Sequence, residues 1–416
     1  MPTSTEAEGA GAGAGAAADT AESRAAGEPG GTRREGGPPT RVRFSLVQGG
    51  PTHRVARALG AVDEHGRIGW RLVLWLIGVT WLPLVLLALP SIHRSPIADL
   101  AVHVRFLVTL PLFTAAERSL HARSQRCIDR LLEERWTNDV VAVRQIAATA
   151  ARRSASWRAE LVLLLLALLG SQLIVWGTTT SVGVFRGRAD ELSAAVVWFA
   201  VVSLPIYQFF VMRWLWRWLT WSRLLWSLSR LELRPSAMHP DRQGGLGFLS
   251  EPSVGFGYFV LGIECVQAAV WSERLRHQHE VMGALNAEIA VSVLLALLLA
   301  LGPLFVFFPT LWRARYQAIR EYDALGVDYT RMFHRRWIER GERDELLGTS
   351  DIQSLADLRH AYETMATMRL VPIDLRVVIV IAACALAPIV PLLLLGVPLS
   401  ELLRRLGGVV MGGLPK

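Results

Sequence analysis

His103, Arg105, Glu264, Gln267 and Glu288 are the side chains best placed to do chemistry, because each interrupts an otherwise apolar run. Arg105 stands eight positions from one end of its run, and Glu264 stands eight from the end of another. In helical geometry both would lie roughly 12 Å deep. A charge near mid-bilayer costs at least ~2.5–3.5 kcal/mol on insertion scales, so it needs a partner or water. The matched depth predicts an Arg105–Glu264 ion pair with His103 and Glu288 beside it, and Gln172 and Gln267 within a turn or two. Such a set is either a clamp between helices or a water-reached site in the outer half that binds an ion or protons. Glu288 is close enough to the end of its run to face water.

A second candidate is the loop His239–Leu249, HPDRQGGLGFL. His239 beside Asp241, followed by Gly244 and Gly245, could cradle a phosphate on backbone N–H groups or place a general base. The GxxxxGK[ST] phosphate loop is absent, and a His–Asp pair has no third ligand or nucleophile. The favoured reading is a tight turn returning the chain to the membrane, with Arg242 available to anionic headgroups. Cys127, Cys265 and Cys384 are too few for a disulfide framework. With no cofactor fingerprint or metal-ligand cluster, neither cofactor nor metal is expected, and enzyme chemistry is not favoured. A lipid-directed reaction through His239 and Asp241 is the remaining enzymatic reading.

These residues are positioned by seven apolar runs, near 70–89, 97–116, 160–178, 192–212, 254–272, 284–308 and 377–397. Each approaches the ~20 residues that cross a ~30 Å hydrocarbon core as helix. The runs are continuous rather than alternating, so the expected class is all-α and polytopic. Mean hydropathy of +0.33 with 19% charged residues fits a large lipid-facing fraction. The net charge of +8 is a topology signal, not a sign of nucleic acid, because arginines cluster beside the runs. Twenty-six arginines fall in the segments after the second, fourth and sixth runs, against five in the opposite loops. The positive-inside rule then sets the N-terminus in the cytoplasm and the C-terminus outside.

Residues 1–40, rich in Gly, Ala, Glu, Thr and Pro, should be disordered. They lack the apolar core of a signal peptide, so the first run should insert uncleaved. The segments 117–158, 213–253 and 313–372 should form a helical cytoplasmic layer. The Trp-rich stretch after the fourth run reads as a helix leaving through an aromatic belt. A capping box at Ser350 to Gln353 starts another helix, with Ile352, Leu355, Leu358, Tyr362, Met365 and Met368 as its apolar stripe. Pro83, Pro111, Pro205, Pro303, Pro388 and Pro391 interrupt the runs, as in helices that line transport sites.

Through HPDRQGGLGFL, DIQSLADL and VRFLVTLPLFTAAE, the chain resembles an uncharacterised family of bacterial multi-pass inner-membrane proteins. The resemblance runs from the first span to ELLRRL near the C-terminus. It implies a bacterial inner-membrane protein and carries no activity with it. The expected function is transport or ion permeation through the outer-half polar site. The alternative is a membrane-embedded scaffold or signalling partner working through its cytoplasmic helices. The expected partners are membrane lipids, with anionic headgroups on the cytoplasmic face, and a protein at those helices, but no nucleic acid.

Overall fold

The computed structural model describes residues 44–62, 69–89, 99–133, 136–137, 139–177, 193–277, 282–340 and 350–396. The expected disorder of 1–40 and the loops carrying Arg94, Arg186 and Arg188 lie outside the described residues. A short helix α1, Gly50–Ala58, precedes the first crossing. Seven helices are long and apolar enough to cross a membrane: α2 Trp70–Ala88, α3 Leu100–Leu132, α5 Trp157–Ile174, α6 Ala194–Ser229, α7 Gly247–Arg276, α8 Gly283–Glu339 and α10 Leu375–Leu392. Helices α4, Val140–Ser154, and α9, Ser350–Ala366, complete the set. Over their described residues all seven expected runs are helical, including the polar second one. Among the described residues the only β pairing is an isolated bridge between Thr137 and Leu233.

The prolines mark where these helices lose regularity. A proline removes the N–H that would bond the carbonyl four residues earlier, and its ring crowds that carbonyl. Accordingly α2 breaks at Trp81 before Pro83, and α3 carries a π-helical turn over Val104–Thr109 before Pro111. A second π turn spans Phe199–Ser203 before Pro205, and Gly302–Phe307 is 3₁₀ around Pro303. Two of the freed carbonyls are met by tryptophans of α6. Trp198 Nε1 donates to Val79 O at 3.2 Å, four residues before Pro83. Trp218 Nε1 donates to Leu299 O at 2.6 Å, four residues before Pro303.

Helices α3 and α7 pack closely. A β-carbon on Gly255 would come within 2.9 Å of Leu120 Cα, so only glycine permits this approach. Thr109 Oγ1 donates to Gly262 O at 2.9 Å along the same contact. Phe106, Phe113, Trp214, Trp221, Phe256 and Phe307 fill the centre. Helix α5, by contrast, exposes Leu161, Val162, Leu165, Leu169 and Leu173, as lipid-facing helices do.

One expectation needs correction. Trp214 and Trp221 do not belong to an interfacial belt: both are buried, because positions 214, 217, 221 and 224 form the inward stripe of α6. The segment 313–372 is largely helical where described and meets the bundle through Met365 and Met368, which are buried in the main core, and through Arg369 N on Arg242 O. The far half of α8 and α9 form a hairpin that packs chiefly on itself, through Tyr329 Oη to Asp351 O at 2.7 Å and Arg336 Nη1 to Asp351 Oδ2 at 2.9 Å. Of the expected stripe, only Met365 and Met368 are buried, and Ile352 and Tyr362 are exposed.

Candidate functional site

The strongest concentration of buried charge lies where the apolar parts of α3, α5 and α6 reach the arginine-rich end. Arg213 and Arg217 share a face of α6, one turn apart, and point inward at Glu117 of α3 and Glu160 of α5. Arg217 Nη1 is 2.5 Å from Glu117 Oε1, and both side chains are almost fully buried. Arg213 bridges the two acids, 3.9 Å from Glu117 Oε1 and 3.7 Å from Glu160 Oε1. Glu160 Oε2 also accepts the backbone N–H and the hydroxyl of Thr52 at 2.8 and 2.7 Å. Helix α1 is thereby pinned onto the cluster. The Arg217 guanidinium lies 5.3 Å over the Trp214 ring.

Two cations and two anions balance in number, yet hydrogen bonding is incomplete. Glu117 Oε2, Arg217 Nη2, Trp214 Nε1 and His53 Nδ1 are buried without a protein hydrogen-bond partner. Burial lowers the His53 pKa below its ordinary value. The charges of Arg57, Arg213 and Arg217 push the same way, and Glu117 opposes them only in part. The layer thus contains a free acceptor, free donors and an imidazole whose protonation is disfavoured, the groups needed to hold water or pass a proton.

The expected outer site is distributed differently. Arg105 and Glu264 form no ion pair. Glu264 turns toward α8, where Ser292 Oγ donates to its two carboxylate oxygens at 2.5 and 2.6 Å. Matched depth set the level of the two residues but not the direction each faces. Arg105, on the π turn of α3, is half-buried and acts electrostatically on Tyr207 of α6. His103 Nδ1 accepts from Trp81 Nε1 at 3.1 Å. Glu288 faces water in a bidentate pair with Arg274, at 2.7 and 3.0 Å, and accepts from Trp271 Nε1. Gln267, three residues beyond Glu264, is half-buried. Gln172 Nε2 donates to Ala200 O at 3.1 Å, bracing α5 against the π turn of α6. The outer residues therefore form separate small contacts, not one constellation.

Between the two levels lies an aromatic layer. Phe113 follows Arg105 and precedes Glu117 along α3, with its ring 5.1 Å from Phe259. Trp214 stacks on Phe259 at 5.3 Å and meets Phe256 edge-on at 5.9 Å.

The loop His239–Leu249 is the tight turn, not a phosphate cradle. Asp241 Oδ1 accepts the N–H of Gln243 and Gly245 at 2.7 and 3.0 Å, and Oδ2 that of Gly247 at 3.2 Å. The side chain occupies the nest an anion would need. Burial alone would raise the Asp241 pKa, but the N–H donors and His239, 2.9 Å away, outweigh it and hold the acid below its ordinary value. Arg242, Gly244 and Gly245 have φ of 54°, 68° and 80°. The Arg242 carbonyl accepts from Arg369 N at 2.7 Å while its side chain stays exposed. Among the described residues, no group of three or more His, Cys, Asp or Glu could hold a metal ion.

Sequence reasoning counted Arg213 and Arg217 as topology charges and Glu117 as the edge of a span. The available signal was that both arginines lie on the same stripe as Trp214 and Trp221, which the helical period turns inward. Comparison with protein families, curated proteins and solved structures finds no match to this chain.

Proposed function

We propose that this multi-pass membrane protein moves a proton or small ion through its bundle. The Glu117–Arg217 layer is its ion-handling station, and the Phe113–Trp214–Phe259 layer is the barrier between that station and the outer half of the bundle. The observation that carries this reading is the Glu117–Arg217 pair, almost fully buried, with Oε2 and Nη2 unpartnered. Ionisable groups inside a bundle are costly to keep, and where they persist they commonly mark ion or proton paths. Aromatic constrictions gate such paths, and π turns like those of α3 and α6 recur at functional sites. The arginine asymmetry of the sequence supports a Glu117 layer on the cytoplasmic side of a bacterial inner membrane.

The test uses proteoliposomes with an entrapped pH dye and an imposed potential. It compares the parent with Glu117→Gln and with Glu117→Gln/Arg217→Met. The double variant removes both charges and so avoids stranding one. Loss of flux in a stably folded double variant supports the reading, and parental flux in it sinks the reading.

A second reading rests on the α8–α9 hairpin. Leu325, Met332 and Ile338 are 51, 60 and 59% exposed on a segment that extends beyond the apolar spans. Such residues suit a protein partner. Deleting 350–366 would then lose a partner captured by cross-linking in cells, while leaving ion flux intact.

A further inference from the structure

A groove of about 680 Å³ opens between α3, the start of α7 and the start of α10, and it shares no residue with the Glu117–Arg217 layer. One half of its wall is cationic. Arg123, Arg126 and Arg130 recur at three- and four-residue steps on α3, and Arg376 faces them from α10. Four guanidinium groups outnumber the two acids present, Glu251 and Asp374. Asp374 is moreover committed to capping α10, its Oδ1 accepting the N–H of Arg376 at 3.0 Å. Among the described residues neither the Arg126 nor the Arg376 side chain forms an ion pair. The Arg130 guanidinium lies 5.0 Å over the Phe248 ring, which holds it at the rim.

The other half of the wall is apolar. Val254 and Tyr258 on α7, with Val377 and Val380 on α10, belong to membrane-crossing parts of those helices. Val380 is 38% exposed beside Ile379 at 58%, so the wall runs out onto a lipid-facing surface. A soluble anion would use only the arginines. An amphiphile with a phosphate at one end and an acyl chain at the other would use both halves. It would also reach the groove sideways from the bilayer.

We propose that this groove binds one anionic phospholipid, with its phosphate among Arg123, Arg126 and Arg376 and an acyl chain along Tyr258 and Val380. Arginine suits this role through its planar fork of donors, which engages phosphate oxygens in pairs.

The experiment titrates phosphatidylglycerol and phosphatidylcholine of identical acyl chains into the delipidated full-length protein in detergent. Retained lipid is read by native mass spectrometry, and inorganic phosphate at millimolar concentration serves as competitor. The expected result is one retained phosphatidylglycerol, bound on the order of tenfold tighter than phosphatidylcholine, because only the former brings a net negative charge to the arginines. Arg126→Gln/Arg376→Gln abolishes that preference, and Val380→Trp, which fills the apolar half from an exposed position, weakens both lipids. Equal retention of the two lipids by the parent overturns the proposal, as does a preference that survives the double arginine variant. Displacement by inorganic phosphate would make the site one for a soluble anion and overturn it equally. Should the arginine variant fail to fold, unchanged phosphatidylglycerol retention in Val380→Trp decides against the lipid.

Discussion

Glu117 and Arg217 are 100 residues apart in sequence and 2.5 Å apart in space, almost wholly removed from solvent. Removing one member of a buried pair strands the other, which typically costs about 3–5 kcal/mol, whereas replacing both by apolar groups is often neutral. Glu117→Gln should therefore lower the melting temperature in detergent sharply, and adding Arg217→Met should recover most of the loss. Additive losses would mean that the two do not act as a pair. His53 has its own pH signature. The fold holds its pKa below the 6.5 of the free side chain, so on acidification the unfolded chain takes up the proton first. The stability contributed by burying the neutral ring is complete above 6.5 and is lost as pH falls through the lower folded value. Thermal stability should accordingly decline as pH falls below about 6.5, and His53→Asn should flatten that decline. An unchanged slope in the variant would assign it to other groups.

At the scale of elements, the bundle tolerates its prolines because side chains on a neighbouring helix meet the carbonyls they free. The Trp218 indole on Leu299 O is the shortest such contact. Trp218→Phe keeps the ring and removes the donor, leaving a carbonyl unsatisfied at a cost of about 1–3 kcal/mol. In a Pro303→Ala background the backbone N–H returns, so the same substitution should cost less than half as much. Equal costs in the two backgrounds would refute the compensation. The turn after α6 is held differently, by Asp241 gathering three N–H groups and by glycine at positive φ. A β-carbon on Gly245 would lie 2.0 Å from Trp136 Cη2, in a conformation that L residues avoid. Gly245→Ala should destabilise the protein by more than about 2 kcal/mol. Gly283→Ala, where a β-carbon meets open space, should be neutral in the same melting assay.

For the whole molecule, contacts at one end join segments distant in sequence. Phe44 N donates to Gln125 Oε1 at 2.7 Å, Ser154 Oγ to the Leu46 carbonyl, Arg369 N to Arg242 O and Arg315 Nη2 to Ala366 O at 2.6 Å. The opposite end is joined by Leu100 N to Glu273 Oε1 at 3.3 Å and by the Arg274–Glu288 pair. The single crossing of α8 between them puts Gly283 and Arg359 at opposite ends. With single cysteines introduced into a cysteine-free background, a membrane-impermeant maleimide added to intact cells should label Gly283→Cys and leave Arg359→Cys unmodified. The reverse pattern would invert the orientation read from the arginines. Labelling of both would break the seven-crossing topology.

The sequence by itself determined the seven crossings, the sites where helices break and the turn at Asp241. Each follows from local composition: a run of apolar residues, a missing N–H at proline, a short acidic side chain before glycines. It also carried the polar residues of the outer level, though not their partners. Which way Glu264 faces, that Ser292 and not Arg105 meets it, and that Arg213 and Arg217 turn inward to Glu117 and Glu160 were decided only by the tertiary structure. The physical reason is that depth along a helix is set by residue count alone. The direction a side chain faces depends on how helices pack, and that packing is set by contacts such as Gly255 on Leu120, between residues far apart in the chain.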